Sequence, residues 1–367
     1  MTRHWNFNSF FHHQFSRLTA PVSLAALMTG MVGMVACTPQ TSSTIALNGA
    51  GASLPAPLYE LWFSRYEQQN SGIQIDYDSV GSGAGIEQFL AQEVNFAATD
   101  VPLTPTEMAQ FPAERGDVMQ VPVAGSAVVL AYNLDGVEAL QLSREAYCGI
   151  AAGEITTWND PAIAAHNPDV DLPNLPITFV HRQDSSGTTY IFTNHLSAAC
   201  DDWSAGTGKV VDWETGVAAP SNGGVTATIQ QTEGAIGYVG FAYAEKHFMP
   251  MATLENQAGY FVEPSPNSAE LAITVSEATN DLMAMVPAPS GADAYPIVGL
   301  TYVLLYENYP DTAAAEVMYD FLQWALVDGK PIADALGYAP LSQALVAQVT
   351  EMLEGRLVLG QLTPGAI

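Results

Sequence analysis

Short apolar runs alternate with segments of helical periodicity along most of the chain. Thr44 to Leu47 predicts a strand, and Pro55 to Gln69 a helix with Leu58, Leu61, Trp62 and Tyr66 on one face. Gln74 to Asp78 predicts a second strand, Ile86 to Gln92 a second helix and Asn95 to Ala98 a third strand. Ala127 to Asn133 is strongly apolar and extended. Ile177 to His181 is a strand followed by a helix over Thr188 to Leu196. Ala235 to Val239 and Tyr295 to Tyr306 add strands, and Asp311 to Leu326 and Gln343 to Leu357 read as helices. Alternation of this kind argues an α/β fold with largely parallel sheets. No repeat of solenoid or propeller period is present.

The first 36 residues have a different character. A weakly basic start with Arg3 and Arg17 leads into an apolar run from Leu18 to Val35, broken by Gly30 and Gly33. It ends in Met34-Val35-Ala36-Cys37, small residues before a cysteine, which resembles a bacterial lipobox. Residues 1–36 are therefore expected to be a lipoprotein signal peptide. Cys37 would be the lipidated residue, and 37–44 a polar tether. No later stretch reaches 18 uninterrupted apolar residues, so the membrane is expected to be met only through that lipid. With Cys37 assigned, Cys148 and Cys200 remain, either as a disulfide or as two separate buried thiols.

Length and composition bound the rest. The 367 residues, 48% of them hydrophobic, suffice for two lobes. The net charge is −28; without residues 1–36 the chain keeps 8 basic and 38 acidic side chains, a net −30. So acidic a body is repelled by nucleic acid and anionic headgroups. It can still bind an anion where dipoles and one or two cations form a local site.

Four loops at strand ends, where ligands sit in such sheets, share that design. Gly49-Ala50-Gly51-Ala52-Ser53-Leu54-Pro55 puts glycines, a hydroxyl and a proline before a helix. Ser79-Val80-Gly81-Ser82-Gly83-Ala84-Gly85 likewise puts small residues and a hydroxyl before a helix start. Thr99-Asp100-Val101-Pro102 brings an acid. His181-Arg182-Gln183-Asp184-Ser185-Ser186-Gly187-Thr188-Thr189 sends one of only seven arginines off a strand end, where its planar fork can hold two oxygens of a tetrahedral anion. Together they describe many neutral donors and one cation around an anion with several oxygens.

The motif GAGASLPAP at 49–57 resembles the opening of the phosphate-binding proteins of high-affinity phosphate ABC transporters. The resemblance continues in order through Val80-Gly81-Ser82-Gly83, Ala98 to Pro102, Gly153 to Asp160, Arg182 to Thr188, Gly234 to Tyr238 and Tyr295-Pro296-Ile297. It implies the two-lobed periplasmic-binding-protein fold of type II with two hinge strands: 45–128 and 297–367 in the first lobe, 129–296 in the second, crossings near Val128 and Ile297. It implies an extracytoplasmic, lipid-anchored monomer in the cell envelope that carries inorganic phosphate to a membrane permease, without cofactor, metal or catalysis. By motif, Ser53, Leu54, Ser82, Arg182, Ser186, Gly187 and Thr188 would donate to phosphate, Asp184 would orient Arg182, and Asp100 would accept the proton phosphate keeps near neutrality. Ser53 and Leu54 stand where the family usually has Thr and Phe.

Rival readings are a phosphatase-like hydrolase and a binder of sulfate or molybdate. No serine lies in a G-x-S-x-G elbow, and no His, Glu or Cys spacing resembles a zinc motif. His181 neighbours Arg182 along a strand and so should point to the other face. Asp100 argues against sulfate, since a buried acid facing a fully ionised anion is left unpaired. Trp62, Trp158 and Tyr238 read as core. Asn222-Gly223-Gly224 marks a turn or a helix start near the cleft, with its ligand contact left open.

Overall fold

The computed structural model describes residues 44–277 and 287–357; the leader, Cys37 and the tether up to residue 43 lie outside the described residues. The strands are β1 (Ile45–Gly51), β2 (Ile73–Asp78), β3 (Phe96–Thr99), β4 (Val118–Tyr132), β5 (Gln141–Leu142) and β6 (Thr178–Arg182). They continue with β7 (Val217–Ala219), β8 (Ala235–Gly240), β9 (Thr253–Glu255), β10 (Phe261–Val262) and β11 (Val298–Tyr306). Eight form one sheet in the order β2-β1-β3-β11-β4-β8-β6-β7, and β10-β9-β5 form a small second sheet. The α/β class holds, but the main sheet is mixed. β1 pairs in parallel with β2 and β3, and β6 with β7 and β8, whereas β11 and β4 run antiparallel to each other and to their outer neighbours β3 and β8.

β4 is what the apolar pattern understates. Only Ala127 to Asn133 reads as a strand, because Gln120, Pro122, Gly125 and Ser126 interrupt the run before it; the observed strand has 15 residues, nearly all buried. Residues 118–127 pair with β11 and 128–132 with β8, so β4 changes partner at Val128, whose N–H donates to Ile297 O at 2.9 Å. Pro122 lacks a ladder donor, and the register slips beside it, between Thr301 and Tyr302, in a bulge.

The first helix, Ala56–Gln69, buries Leu58, Tyr59, Trp62, Phe63 and Tyr66, and the rings of Trp62, Phe63 and Tyr66 pack on Phe321 and Trp324. Leu61 is a correction: it is 48% exposed. The buried stripe runs through 58, 59, 62, 63 and 66, and Leu61 falls outside it. The second helix begins at Ser82, four residues earlier than the pattern predicts, and ends at Leu90. Gly81 and the three small residues after Ser82 look like loop, yet those after Gly81 form the first turn. Trp158 is fully buried, with its indole N–H donating to Gly234 O at 3.0 Å. Cys148 and Cys200 are joined by a disulfide, with Cα atoms 5.7 Å apart. No described helix is long and apolar enough to cross a membrane.

Candidate anion site

Four helices start where strands end. β1 leads through residues 52–55 into the helix Ala56–Gln69, and β2 through Gly81 into the helix Ser82–Leu90. β6 leads into the helix Gly187–Ala199, and β7 into the helix Ser221–Gln231. Each start exposes main-chain N–H groups and the positive end of the helix dipole. Glycine is required at two of the turns. Gly51 has φ +144°, and a Cβ there would lie 2.0 Å from Ala98 O; Gly81 has φ +94°, and a Cβ would lie 2.5 Å from Asp184 Oδ2.

Three tyrosines set the polarity of the first loop. Tyr77, Tyr243 and Tyr338 donate their hydroxyls to the successive carbonyls of Ala52, Ser53 and Leu54, each at 2.7 Å. The carbonyls are thereby occupied, while the amides of Ser53 and Leu54 donate to no acceptor among the described residues. This clamp was not visible in the sequence: Tyr338 lies 284 positions from Leu54.

The loops meet through hydrogen bonds. Ser82 Oγ accepts from Asp100 N (3.3 Å) and from Gly187 N (3.1 Å). Ser53 Oγ accepts from the main-chain N (3.1 Å) and Nδ2 (3.0 Å) of Asn222. Thr188 Oγ1 accepts from Asn222 Nδ2 (3.0 Å) and from Arg182 Nη1 (3.3 Å). Gly187 fits only because it has no side chain, since a Cβ would lie 2.5 Å from Ser82 Oγ and 2.7 Å from Asp100 Oδ2. Ser186 is the N-cap of its helix, its Oγ accepting from Thr189 N at 3.1 Å. Leu54 forms wall, its Cδ1 lying 2.5 Å from where a Cβ on Gly240 would sit.

Two acids behave differently here. Asp184 accepts from Arg182 Nε at 2.8 Å, from Ser221 N at 3.0 Å and from Arg182 Nη2. Burial alone would raise its pKa, but the guanidinium holds it below the usual carboxylate range. Asp184 thus engages the Nε–Nη2 edge of the fork and leaves Nη1 toward Thr188. Asp100 is 1% exposed, and neither carboxyl oxygen has a hydrogen-bond partner. Burial pushes it up to about 7, against the Thr301 hydroxyl, the Arg182 guanidinium and the Ser82 hydroxyl, which favour its charge without bonding it in good geometry. A buried acceptor of this kind fits a ligand that supplies a donor.

The sequence-predicted residues Ser53, Ser82, Asp100, Arg182, Ser186 and Thr188 are all buried, and with Leu54, Gly187 and Asp184 they form one continuous cluster. His181 stands apart from it, stacked on Trp213 at 5.2 Å. Burial lowers its pKa. Asn222, fully buried at the junction, is the residue whose role sequence reasoning missed; its only signal was a turn or helix start in the SNGG segment. Thr301 and Tyr59, with buried hydroxyls close to Asp100, carried no sequence signal. No group of three or more metal-ligating side chains occurs among the described residues.

Residues 38–328 match a family model described as a PBP superfamily domain. The phosphate-binding protein PstS of Pasteurella multocida is 36% identical over 315 residues, covering 84% of this chain and 90% of its own. The protein of the same name from Xylella fastidiosa is 36% identical over 316 residues, covering 84% and 85%. Among solved structures, a high-affinity periplasmic phosphate-binding protein (PfluDING) bound with phosphate aligns with a TM-score of 0.68 at 23% identity, over 83% of this chain and 93% of that one, a likeness of fold.

Proposed function

We propose that this chain, which belongs to the PBP superfamily and within it to the PstS phosphate-binding proteins, captures inorganic phosphate outside the cytoplasm and delivers it to an ABC importer. The observation that carries the reading is Asp100: a buried carboxyl with two unpartnered oxygens, set in a cluster of hydroxyls, helix-start amides and one buried guanidinium. The donors match the oxygens of a tetrahedral anion, and the guanidinium balances its charge. The acid matches a proton. A phosphate oxyanion near neutrality retains one, its second pKa being about 6 in monoesters. Sulfate has none and would face Asp100 with like charge and no donor.

In this reading Ser53, Leu54, Ser82, Arg182, Ser186, Gly187 and Thr188 donate to phosphate, the Gly187 N–H being shared with Ser82 Oγ, and Asp100 receives its proton. Residues 45–128 with 297–367 form one lobe and 129–296 the other. The partner change of β4 at Val128, beside Ile297, supports a hinge there. Cys37 carries the lipid that tethers a monomer to the cell envelope. The relatives are substrate-binding proteins, and no catalytic step is assigned to the site.

Thermal melting tests the reading. Millimolar phosphate should raise the melting temperature by several degrees, while sulfate at equal concentration and ionic strength leaves it in place. Equal shifts with both anions, or none, would remove it.

A further inference from the structure

Asn222 opens the helix Ser221–Gln231, is fully buried and has every polar atom engaged. Its Oδ1 accepts from Gly240 N at 2.9 Å, and its carbonyl accepts from Thr226 Oγ1 at 2.9 Å. Its Nδ2 donates to Ser53 Oγ and to Thr188 Oγ1, each at 3.0 Å, and its main-chain N donates to Ser53 Oγ at 3.1 Å. The bond from Gly240 fixes which end of the amide is oxygen, because a main-chain N–H can only donate.

A hydroxyl has two lone pairs and one proton. On Ser53 both lone pairs face N–H groups of Asn222; on Thr188 they face Asn222 Nδ2 and Arg182 Nη1. Each hydroxyl has only its proton left to offer. Ser82 is saturated in the same sense, by Asp100 N and Gly187 N, but through main-chain groups that truncating a side chain does not remove. We propose that Asn222 is a specificity-determining positioning residue that holds Ser53 and Thr188 as obligate donors, so that the site offers an anion protons everywhere except at Asp100. The inference rests on the phosphate-binding reading. It goes further in naming the side chain that fixes the direction of two hydrogen bonds and ties the loop after β1 to the helix after β7, strands near opposite ends of the sheet order.

Asn222→Asp keeps the acceptor for Gly240 N but puts an acceptor where the shared donor stood. Ser53 and Thr188 would then turn their protons toward it and lone pairs toward the anion. Calorimetric titration with inorganic phosphate should compare the wild type, Asn222→Ala, Asn222→Asp, Ser53→Ala and the Asn222→Ala/Ser53→Ala double variant, alongside the ligand-free melting temperature of each. Asn222→Ala should weaken binding about tenfold to a hundredfold, the scale of a hydrogen bond to a charged group, and should cost at least about threefold less once the Ser53 hydroxyl is gone. Asn222→Asp should weaken binding beyond Asn222→Ala while melting cooperatively. Should Asn222→Ala lose its cooperative melt, the isosteric Asn222→Asp carries the test. An equal cost of Asn222→Ala in both backgrounds, or wild-type affinity in Asn222→Asp, would overturn the inference alone. A wild type that binds no phosphate would instead overturn the functional reading beneath it.

Discussion

The two sides of the site do different jobs. Strands β1, β2 and β3 deliver Ser53, Leu54, Ser82 and Asp100: amides, hydroxyls and an acid, without a cation among them. Strands β6 and β7 deliver Arg182, already paired with Asp184, together with Thr188 and Asn222. In the proposed reading, one side senses the proton of the ligand and the other balances its charge. They touch through few bonds, chiefly Gly187 N to Ser82 Oγ, Asn222 to Ser53 Oγ and Gly83 N to Ser185 O at 2.9 Å. Selectivity and affinity should therefore be separable by substitution.

The largest expected effect is on the charged side. Arg182→Ala removes the guanidinium and leaves the half-buried Asp184 without its cation, so phosphate affinity should fall by about 3 kcal/mol or more, as for a lost charge-assisted pair. Near-native affinity by calorimetry would take Arg182 out of the site. Next comes the junction. Gly187→Ala places a methyl against Ser82 and Asp100, and should weaken phosphate binding by about 1–3 kcal/mol, the usual cost of overpacking. Unchanged binding would show that the two sides need not approach so closely.

The comparison sharpens with pH. Asp100 is raised to about 7, so between the ordinary carboxylate range and about 7 the folded state holds its proton more tightly than the unfolded chain. Asp100 thus favours folding less as pH rises through that window. His195, buried with Nδ1 2.7 Å from Pro287 O and Nε2 3.0 Å from the Tyr147 hydroxyl, is lowered to about 4. There the unfolded chain binds the proton more tightly, and stability is lost as pH falls from about 6.5 toward 4. The ligand-free melting temperature of Asp100→Asn, relative to wild type, should therefore climb as pH goes from 4 to 7. A difference constant across that range would contradict the Asp100 assignment.

The smallest effect belongs to the ion pair Lys209–Glu107, 2.5 Å apart and partly exposed. Glu107 also closes a capping box with Thr104, after β3, while Lys209 O accepts from Ser186 N, beside the β6 loop. The pair thus joins the Asp100 side of the site to the Arg182 side at their rim. Lys209→Ala should speed phosphate release by no more than about fivefold, in line with ~0.2–1 kcal/mol for such pairs, and added salt should shrink the difference. A salt-independent change would assign Lys209 another role.

Much of this was legible in the sequence because it is local. A glycine-rich turn before a helix, a Ser-Gly-Thr run and a strand-end arginine announce themselves within ten residues. The β4–β11 pairing was not legible, since β4 is interrupted by Pro122 and Gly125 and its antiparallel partner lies more than 170 residues away. The tyrosine clamp on residues 52–54 and the clasp of Asn222 on Ser53 are long-range for the same reason: no pattern along the chain says which distant hydroxyl or amide will arrive. Leu61 shows the converse, a local period that suggested burial where the helix faces solvent.

The central claim is that Asp100 accepts a proton that phosphate has and sulfate lacks. Competitive calorimetry of phosphate and sulfate on the wild type and on Asp100→Asn tests it most directly. The wild type should prefer phosphate by several orders of magnitude, and Asp100→Asn should lose more of that preference than of its phosphate affinity. Sulfate exclusion left intact in Asp100→Asn would contradict the account.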